Sequence, residues 1–441
     1  MATRQASKSK ASIAATAAQL VGAQKLRRTL RRELRQPSGF QLAVADGIDM
    51  LDGAHWDRVV NASTFFLSRS YLRMLEQFGP ENIAPRYALV FADGAPVAAA
   101  YLQIASVGGE RLGKKSAAVE AKNPLHLIAK VLSPAAQTIS AGLRERVLVC
   151  GNLLSYGFHG VAFAPGSDKR ALWPAVAEAI YRIRRAEKLS GQTDFILIKD
   201  VTPPEADDIA ILSHLSYHPL ETEPNMVLEM PAQWQNYDGY LASLASKYRS
   251  AIKQQVFKPI EAAGYTVEHL HDLVGHAERL HDLYLQVHEK AGLRLFTLPA
   301  SYFGALAHSA GDNLLCSVIR RKGDDSDDSD ILGFIITLKD GDIGYGYHIG
   351  YDRTVAADVP LYLRLLHAAI ADGLALGCRC LSLGRTALEP KAGLGARPEA
   401  ISVWMRHRQP VMNLFVRNLL RVIPHEEAPE RSPFKKAGAG K

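Results

Sequence analysis

At 441 residues the chain is too long for one ordinary core, and a 47% hydrophobic, 22% charged composition excludes a fibrous or disordered protein. No apolar run reaches the length of a membrane-spanning helix. The net charge of +7 is concentrated at the start. Residues 1–38 hold nine Lys/Arg against Glu33 alone, or +8, which leaves −1 for everything after; the body is therefore no surface built to coat nucleic acid.

In chain order, residues 1–38 read as a solvated basic arm too poor in bulky apolar residues to fold alone, with attachment to RNA or an acidic membrane as the functional alternative. Their Arg-rich, acid-poor composition superficially fits an organellar transit peptide. The globular chain starts near Phe40. Residues 68–78 form a predicted helix that Ser68 caps, with Tyr71, Leu72, Leu75 and Phe78 at helical spacing. Asp93-Gly94 between apolar runs marks a hairpin of 87–91 with 96–104. Residues 106–146 are an insertion with no assigned structure. Strands are expected at 147–154 and 156–163, a helix at 171–189 and a short buried strand at 195–198.

A strand around 226–230 closes the first half. One long helix over 237–263 follows, with a basic side of Lys247, Arg249, Lys253 and Lys258 and with Pro259 kinking or ending it. Helices at 271–290 and 300–308 precede strands at 314–320 and 331–338. The acidic run 324–330 between these strands lacks the glycine and terminal glutamate of a calcium loop and reads as a solvated hairpin tip. A strand at 343–352, a buried helix and a strand at 380–383 come next. The end of the chain holds a strand at 401–408, an amphipathic helix at 411–423 and a polar tail at 425–441. Cys150, Cys316, Cys378 and Cys380 lack zinc-ligand spacing and read as free thiols of a reducing compartment.

Residues 343–391 organise the rest. Strand alternation puts Tyr345, Tyr347, Ile349 and Tyr351 on one face. Gly344, Gly346, His348, Gly350 and Asp352 fall on the other, a face nearly stripped of side chains where another molecule can approach the backbone. Ser155-Tyr156-Gly157-Phe158-His159-Gly160 in the first half echoes Gly344-Tyr345-Gly346-Tyr347-His348-Ile349-Gly350. Each echo is followed by a loop, a helix and a short apolar strand, which points to two copies of one α/β unit. Strand–helix–strand after antiparallel strands implies one right-handed parallel crossover per unit. The expected division is an arm at 1–38, units at 39–232 and 233–424, and a tail at 425–441.

The order β–α–α–β–β–β–α–β–α–β in the second half resembles the GNAT acyltransferase superfamily, and the doubling resembles its tandem FemAB/CelD-like branch. The residues that carry the likeness are Lys247-Tyr248-Arg249-Ser250-Ala251-Ile252-Lys253, the tyrosine strand 345–351, Pro360-Leu361-Tyr362-Leu363, Leu381-Ser382-Leu383-Gly384-Arg385 and Glu389-Pro390-Lys391. The resemblance implies two mixed, mostly antiparallel sheets and transfer of an acyl group, from acyl-CoA as co-substrate, to a small-molecule or peptide amine in the cytoplasm, with no permanently bound cofactor or metal.

On that reading His348 and Glu389 are the candidate bases, and Tyr347 or Tyr351 returns a proton to the leaving group. Gly346, Gly350, Arg385 and Lys391 contact the substrate, and Arg353, Thr354, Ser382 and Gly384 bind the donor. For each there is a structural reading as well: a histidine bonded inside the sheet, tyrosines as core, loop charges as surface pairs. His159 is the weaker counterpart of His348. The superfamily's glycine-rich pyrophosphate loop is missing from residues 353–360, where Asp358 reads as a helix cap and Pro360 removes a donor. Residues 165–170 suit phosphate better. Aminoacyl-tRNA therefore remains an alternative donor, with the basic helix tracking its phosphates. An alternative of another class is a non-catalytic tandem module that binds a ligand or protein in its cleft.

Overall fold

The computed structural model describes residues 29, 32–33, 36–60, 63–108, 144–290, 294–322, 330–414, 429 and 431–435. Nearly all of the basic arm, most of the 106–146 insertion, the acidic run up to residue 329 and most of the C-terminal helix and tail lie outside the described residues.

The strands are β1 (Gln41–Ala45), β2 (Ile83–Ala92), β3 (Ala95–Gly108), β4 (Arg144–Cys150), β5 (Val161–Phe163), β6 (Thr193–Val201), β7 (His218–Glu221) and β8 (Asn225–Glu229). They continue with β9 (Tyr265–His269), β10 (Leu314–Arg321), β11 (Ile331–Asp340), β12 (Ile343–Tyr351), β13 (Cys380–Ser382), β14 (Arg397–Glu399) and β15 (Ser402–His407). The main helices are α1 (Gly53–Val60), α2 (Arg69–Phe78), α3 (Lys169–Ala186), α4 (Pro203–Ile209), α5 (Tyr237–Ser243) and α6 (Ser246–Ile252). After them come α7 (Lys258–Ala262), α8 (Ala277–His288), α9 (Ser301–Ala310), α10 (Leu361–Ala375) and α11 (Leu388–Gly393).

Two mixed sheets result. One runs β1-β2-β3-β4-β6-β15-β7 with β5 beside β3; the other runs β14-β8-β13-β12-β11-β10-β9. Each has a single parallel pair, β4 with β6 and β12 with β13, and each pair is joined through a helix, α3 or α10. The doubled, mostly antiparallel architecture expected from the sequence is the one observed.

The sheets trade a strand. β8, from the end of the first half, lies beside β13, while β15, from the end of the second, lies between β6 and β7. A cut at 232/233 therefore separates the crossovers but not the sheets. Local signals explain the frame. Asp93 (φ 48°) and Gly94 (φ 79°) give the β2–β3 hairpin the two left-handed residues of its tight turn. Ser68 Oγ accepts from Tyr71 N to cap α2, and Asp168 Oδ1 accepts from Ala171 N to cap α3. Ala98 and Ala100 keep β3 flat enough for Trp173, Val176 and Ile180 of α3 to pack on it. The largest apolar cluster spans both units: Phe66 lies 5.2 Å from the Tyr345 ring and 5.5 Å from that of Tyr347.

Two expectations change. The long helix over 237–263 is broken into α5, α6, a π-helical turn at Lys253–Phe257, and α7. It breaks at Leu244, whose backbone pairs with Phe434, and Ala245 N donates to Pro433 O at 2.8 Å. Pro259 follows the π-helical turn directly, as the second residue of α7. The tail, expected to be polar and disordered, is anchored over residues 431–435: Phe434 packs 5.4 Å from Trp234 and 6.4 Å from Tyr240.

Candidate active site

β12 and β13 pair only at Ile343–Tyr345 with Cys380–Ser382. Beyond Tyr345 the ladder between the two strands ends, which leaves a gap in the pairing between Gly346 and the chain after Ser382. Opposite β11 the register shifts between Ile336 and Thr337, so Thr337 faces Gly346, Ile336 faces His348, and Tyr347 is an extra residue. This bulge exchanges the faces of the strand. Tyr345 and Tyr347 point into the core shared by the two units, whereas Ile349 and Tyr351 pack with α10 on the opposite side. The single tyrosine face expected from strict alternation is thus split in two. His348 follows the bulge onto the inter-unit side, where its ring meets Tyr302 and Phe303.

The glycines do not form one bare surface. A Cβ on Gly350 would stand 2.6 Å from Tyr284 N and 2.7 Å from Leu283 C, because α8 lies across that residue. Gly350 is therefore a packing glycine, which corrects its assignment to substrate. Gly344 faces Cys378 and Leu381 at 3.1–3.2 Å. Gly346 alone of the three has ordinary room: its nearest neighbours would be Leu383 Cδ2 at 3.4 Å and Ser382 O at 3.6 Å.

A chain of polar groups runs from β12 into the first unit. His348 Nε2 is 3.4 Å from Tyr302 OH, and Tyr302 OH is 3.2 Å from Tyr347 OH. Tyr347 OH is 2.8 Å from Tyr71 OH, which accepts from Asn152 Nδ2 at 2.9 Å. Burial lowers the His348 pKa to about 3, so the imidazole is neutral and its conjugate acid too strong for it to be an effective base at neutral pH. Burial also raises the Tyr347 phenol well above its usual value. Tyr351 is half-buried with its ring 6.0 Å from Tyr362.

The loop after β12 uses its own donors. Asp352 Oδ1 accepts from Thr354 N at 2.8 Å and Val355 N at 3.1 Å, and Gln286 Oε1 accepts from Arg353 N at 3.0 Å. The backbone donors of Arg353, Thr354 and Val355 are thus all used within the chain. Asp358 does not cap α10; Pro360 takes the N-cap position without a side-chain bond. The loop at 165–170 is similarly closed, with Ser167 N on Ala164 O and Asp168 on Ala171 N. The side chains of Lys247, Arg249, Lys253 and Lys258 are exposed.

The residues beyond β13 separate into distinct environments. Ser382 Oγ is buried and donates to Asn225 Oδ1 at 2.9 Å. Gly384 (φ 76°) lies under the Tyr156 ring, and its carbonyl accepts from buried Lys391 Nζ at 3.2 Å. Desolvation brings the Lys391 amine down to about 7. Glu389 points away to the surface and pairs with Arg431 of the tail. Arg385 reaches into the first unit and pairs with Asp200.

In the first unit, β4 and β5 lie on successive stretches of β3, with residues 151–160 looping out between them. The Ser155–Gly160 echo lies in that excursion rather than on a strand; where β12 has a one-residue bulge, the first unit has a ten-residue loop. His159 there is held by Thr64 Oγ1 at 3.2 Å and Tyr156 O at 2.8 Å, and desolvation lowers its pKa to about 3. The sequence did not reveal Tyr302 or the Lys199–Asp200 pair, and it placed Asp352 on the glycine face of the strand without its bonds to the loop. Asp two residues before Thr354 is a turn signal, and Lys199-Asp200 ends the first crossover strand where Gly384-Arg385 follows the second.

Among curated proteins none matches the chain by sequence. In structure it is similar to FemX (14% identity, 83% of this chain and 98% of that one, TM-score 0.49). It is also similar to a tandem GNAT protein from the clavulanic acid biosynthesis pathway (11%, 84% and 99%, TM-score 0.45). A third similar structure is Saccharomyces cerevisiae N-myristoyltransferase with bound myristoyl-CoA (10%, 85% and 81%, TM-score 0.44). Residues 246–392, which hold the splayed pair β12 and β13, match the family model of the acetyltransferase (GNAT) domain. The GNAT resemblance read from the order of elements stands for residues 246–392, which match that domain's model.

Proposed function

We propose that this chain is an N-acyltransferase whose second unit receives an activated acyl group in the gap between β12 and β13 and passes it to an amine. The observation that carries the reading is the parting of the two strands after Tyr345, with Gly346 facing Leu383 across the opening. The amine attacks the acyl carbonyl, the bond to the leaving thiol or hydroxyl breaks, and the amine's proton passes to a base. Lys391, with its amine near neutrality, is the group at hand for that proton. Neutral His348, held by Tyr302, orients the reactants by hydrogen bonding. The four free cysteines fit the reducing cytoplasm.

Acyl-CoA is the first donor to test. Aminoacyl-tRNA is the second, favoured by the occupation of the loop donors by Asp352 and by the exposed basic face Lys247, Arg249, Lys253 and Lys258. Mass spectrometry of products from purified protein, an amine mixture and either acyl-CoAs of several chain lengths or charged tRNA is the test. A new amide from one donor supports the reading, and no amide from any donor overturns it.

A further inference from the structure

Where the two units meet, the ends of their crossover strands come together. Asp200 of β6 is fully buried and has a left-handed backbone (φ 56°), a strained state for a residue with a Cβ. Its Oδ2 accepts from Lys199 Nζ and from Gly157 N at 3.0 Å; its Oδ1 accepts from Arg385 Nη2. Lys199 Nζ also donates to Ser155 O at 2.7 Å. Two cations thus share one carboxylate, and desolvation together with the neighbouring Arg385 pulls the Lys199 ammonium well below its usual pKa. Two donors in the same cluster are shut off from solvent without a partner, Arg385 Nε and Ser155 Oγ. Two basic side chains on one carboxylate, beside unused donors, form the pattern of an anion site.

We infer that this inter-unit cluster binds one small anionic group, a carboxylate or a phosphate, carried by the acyl acceptor. Ser155 and Lys199 come from the first unit and Arg385 from the second, so neither unit holds the site alone. Arg385 lies two residues beyond Leu383, which faces the gap at Gly346. An extended chain covers that step in about 7 Å, so an acceptor anchored on Arg385 can place its amine in the gap. The acceptor class is therefore an amine that bears an anionic group, and the first unit gains a role in holding it. The word acceptor rests on the acyl-transfer reading; the anion site does not.

The test is calorimetry on the full chain with three probes: phosphoethanolamine, 4-aminobutyrate and ethanolamine. Tighter binding of one of the first two, at least tenfold over ethanolamine, is expected, and which one tells phosphate from carboxylate. Arg385→Gln should abolish that preference. Because it also strips Asp200 of a partner, Ser155→Ala is the second variant: its hydroxyl bonds nothing in the fold, so melting stays unchanged while anion affinity falls several-fold. Equal binding of charged and neutral amines, or wild-type affinity in Ser155→Ala and Arg385→Gln, overturns the inference. Anion binding without amide formation from any donor would sink the acyl-transfer reading and leave the site standing. Amide formation on ethanolamine as readily as on the other two would do the reverse.

Discussion

Replacing Gly350 with alanine puts a methyl group where α8 already lies. The new Cβ would stand 2.5 Å from Phe334 Cε1, 2.6 Å from Tyr284 N and 2.7 Å from Leu283 C, against an ordinary contact of about 3.5–4.0 Å. The Phe334 ring can turn aside, but the other two atoms are helix backbone. Relief therefore requires α8 to lift by about 1 Å, loosening Leu280, Leu283 and Tyr284 from the shared core. Overpacking of this kind costs about 1–3 kcal/mol, and backbone involvement puts Gly350→Ala at the upper end. At an unfolding entropy of about 2 cal/mol/K per residue, 3 kcal/mol lowers Tm by roughly 3 °C if the whole chain unfolds together, and by more if one unit unfolds alone. Gly346→Ala meets only contacts of 3.4 and 3.6 Å and should melt within about a degree of wild type. Thermal and urea unfolding followed by circular dichroism decide it. Wild-type melting of Gly350→Ala, or an equal loss in Gly346→Ala, refutes the assignment of one glycine to packing and the other to the gap.

Three further outcomes follow from the same geometry. Burial holds His159, His348 and His367 at about 3, against about 6.5 in the unfolded chain. Their contribution to stability is complete above pH 6.5 and is lost as pH falls toward 3, by up to about 1.4 kcal/mol per pH unit for each. His269, raised by Asp372, acts in the opposite sense. Urea midpoints at pH 7.5 and pH 5 should differ, and His367→Gln should reduce the difference; equal midpoints would contradict the burial argument. If Lys391 takes the amine's proton, kcat/KM rises through about pH 7 and that limb moves upward in Lys391→Arg; an unmoved limb excludes the role. Phe434→Ala should cost about 2 kcal/mol, because Trp234 and Tyr240 lose the half-buried ring that covers them; unchanged unfolding would show the tail to be unanchored.

The parts of the fold written in local chemistry were legible. Asp93-Gly94 sets its hairpin by backbone preference, Ser68 sets its cap, and the apolar spacing of the crossover helices sets which face they bury. The choice of partner strand was not legible. Nothing in the apolar run Met226–Val227–Leu228 says that it pairs across the midpoint with β13, because strand periodicity encodes a face and not a neighbour. The bulge at Tyr347 was hidden for a related reason: one extra residue inverts every face after it, so a strict alternation rule fails from that point onward. Among the proposed site residues, Arg385 and Lys391 were marked by their place after a crossover strand. Glu389 was marked by the same logic and proved to face the tail, since a six-residue helix turns neighbouring side chains in different directions. Tyr302 and Asp200 come from elements distant in sequence and meet His348 and Arg385 only in the folded chain.

The central claim is that acyl transfer takes place where β12 parts from β13. Its most direct test is single-turnover transfer by Gly346→Val alongside wild type, with product read by mass spectrometry and folding by melting temperature. Filling the gap at Gly346 should reduce transfer at least tenfold with little change in Tm; undiminished transfer by the folded variant would place the chemistry elsewhere.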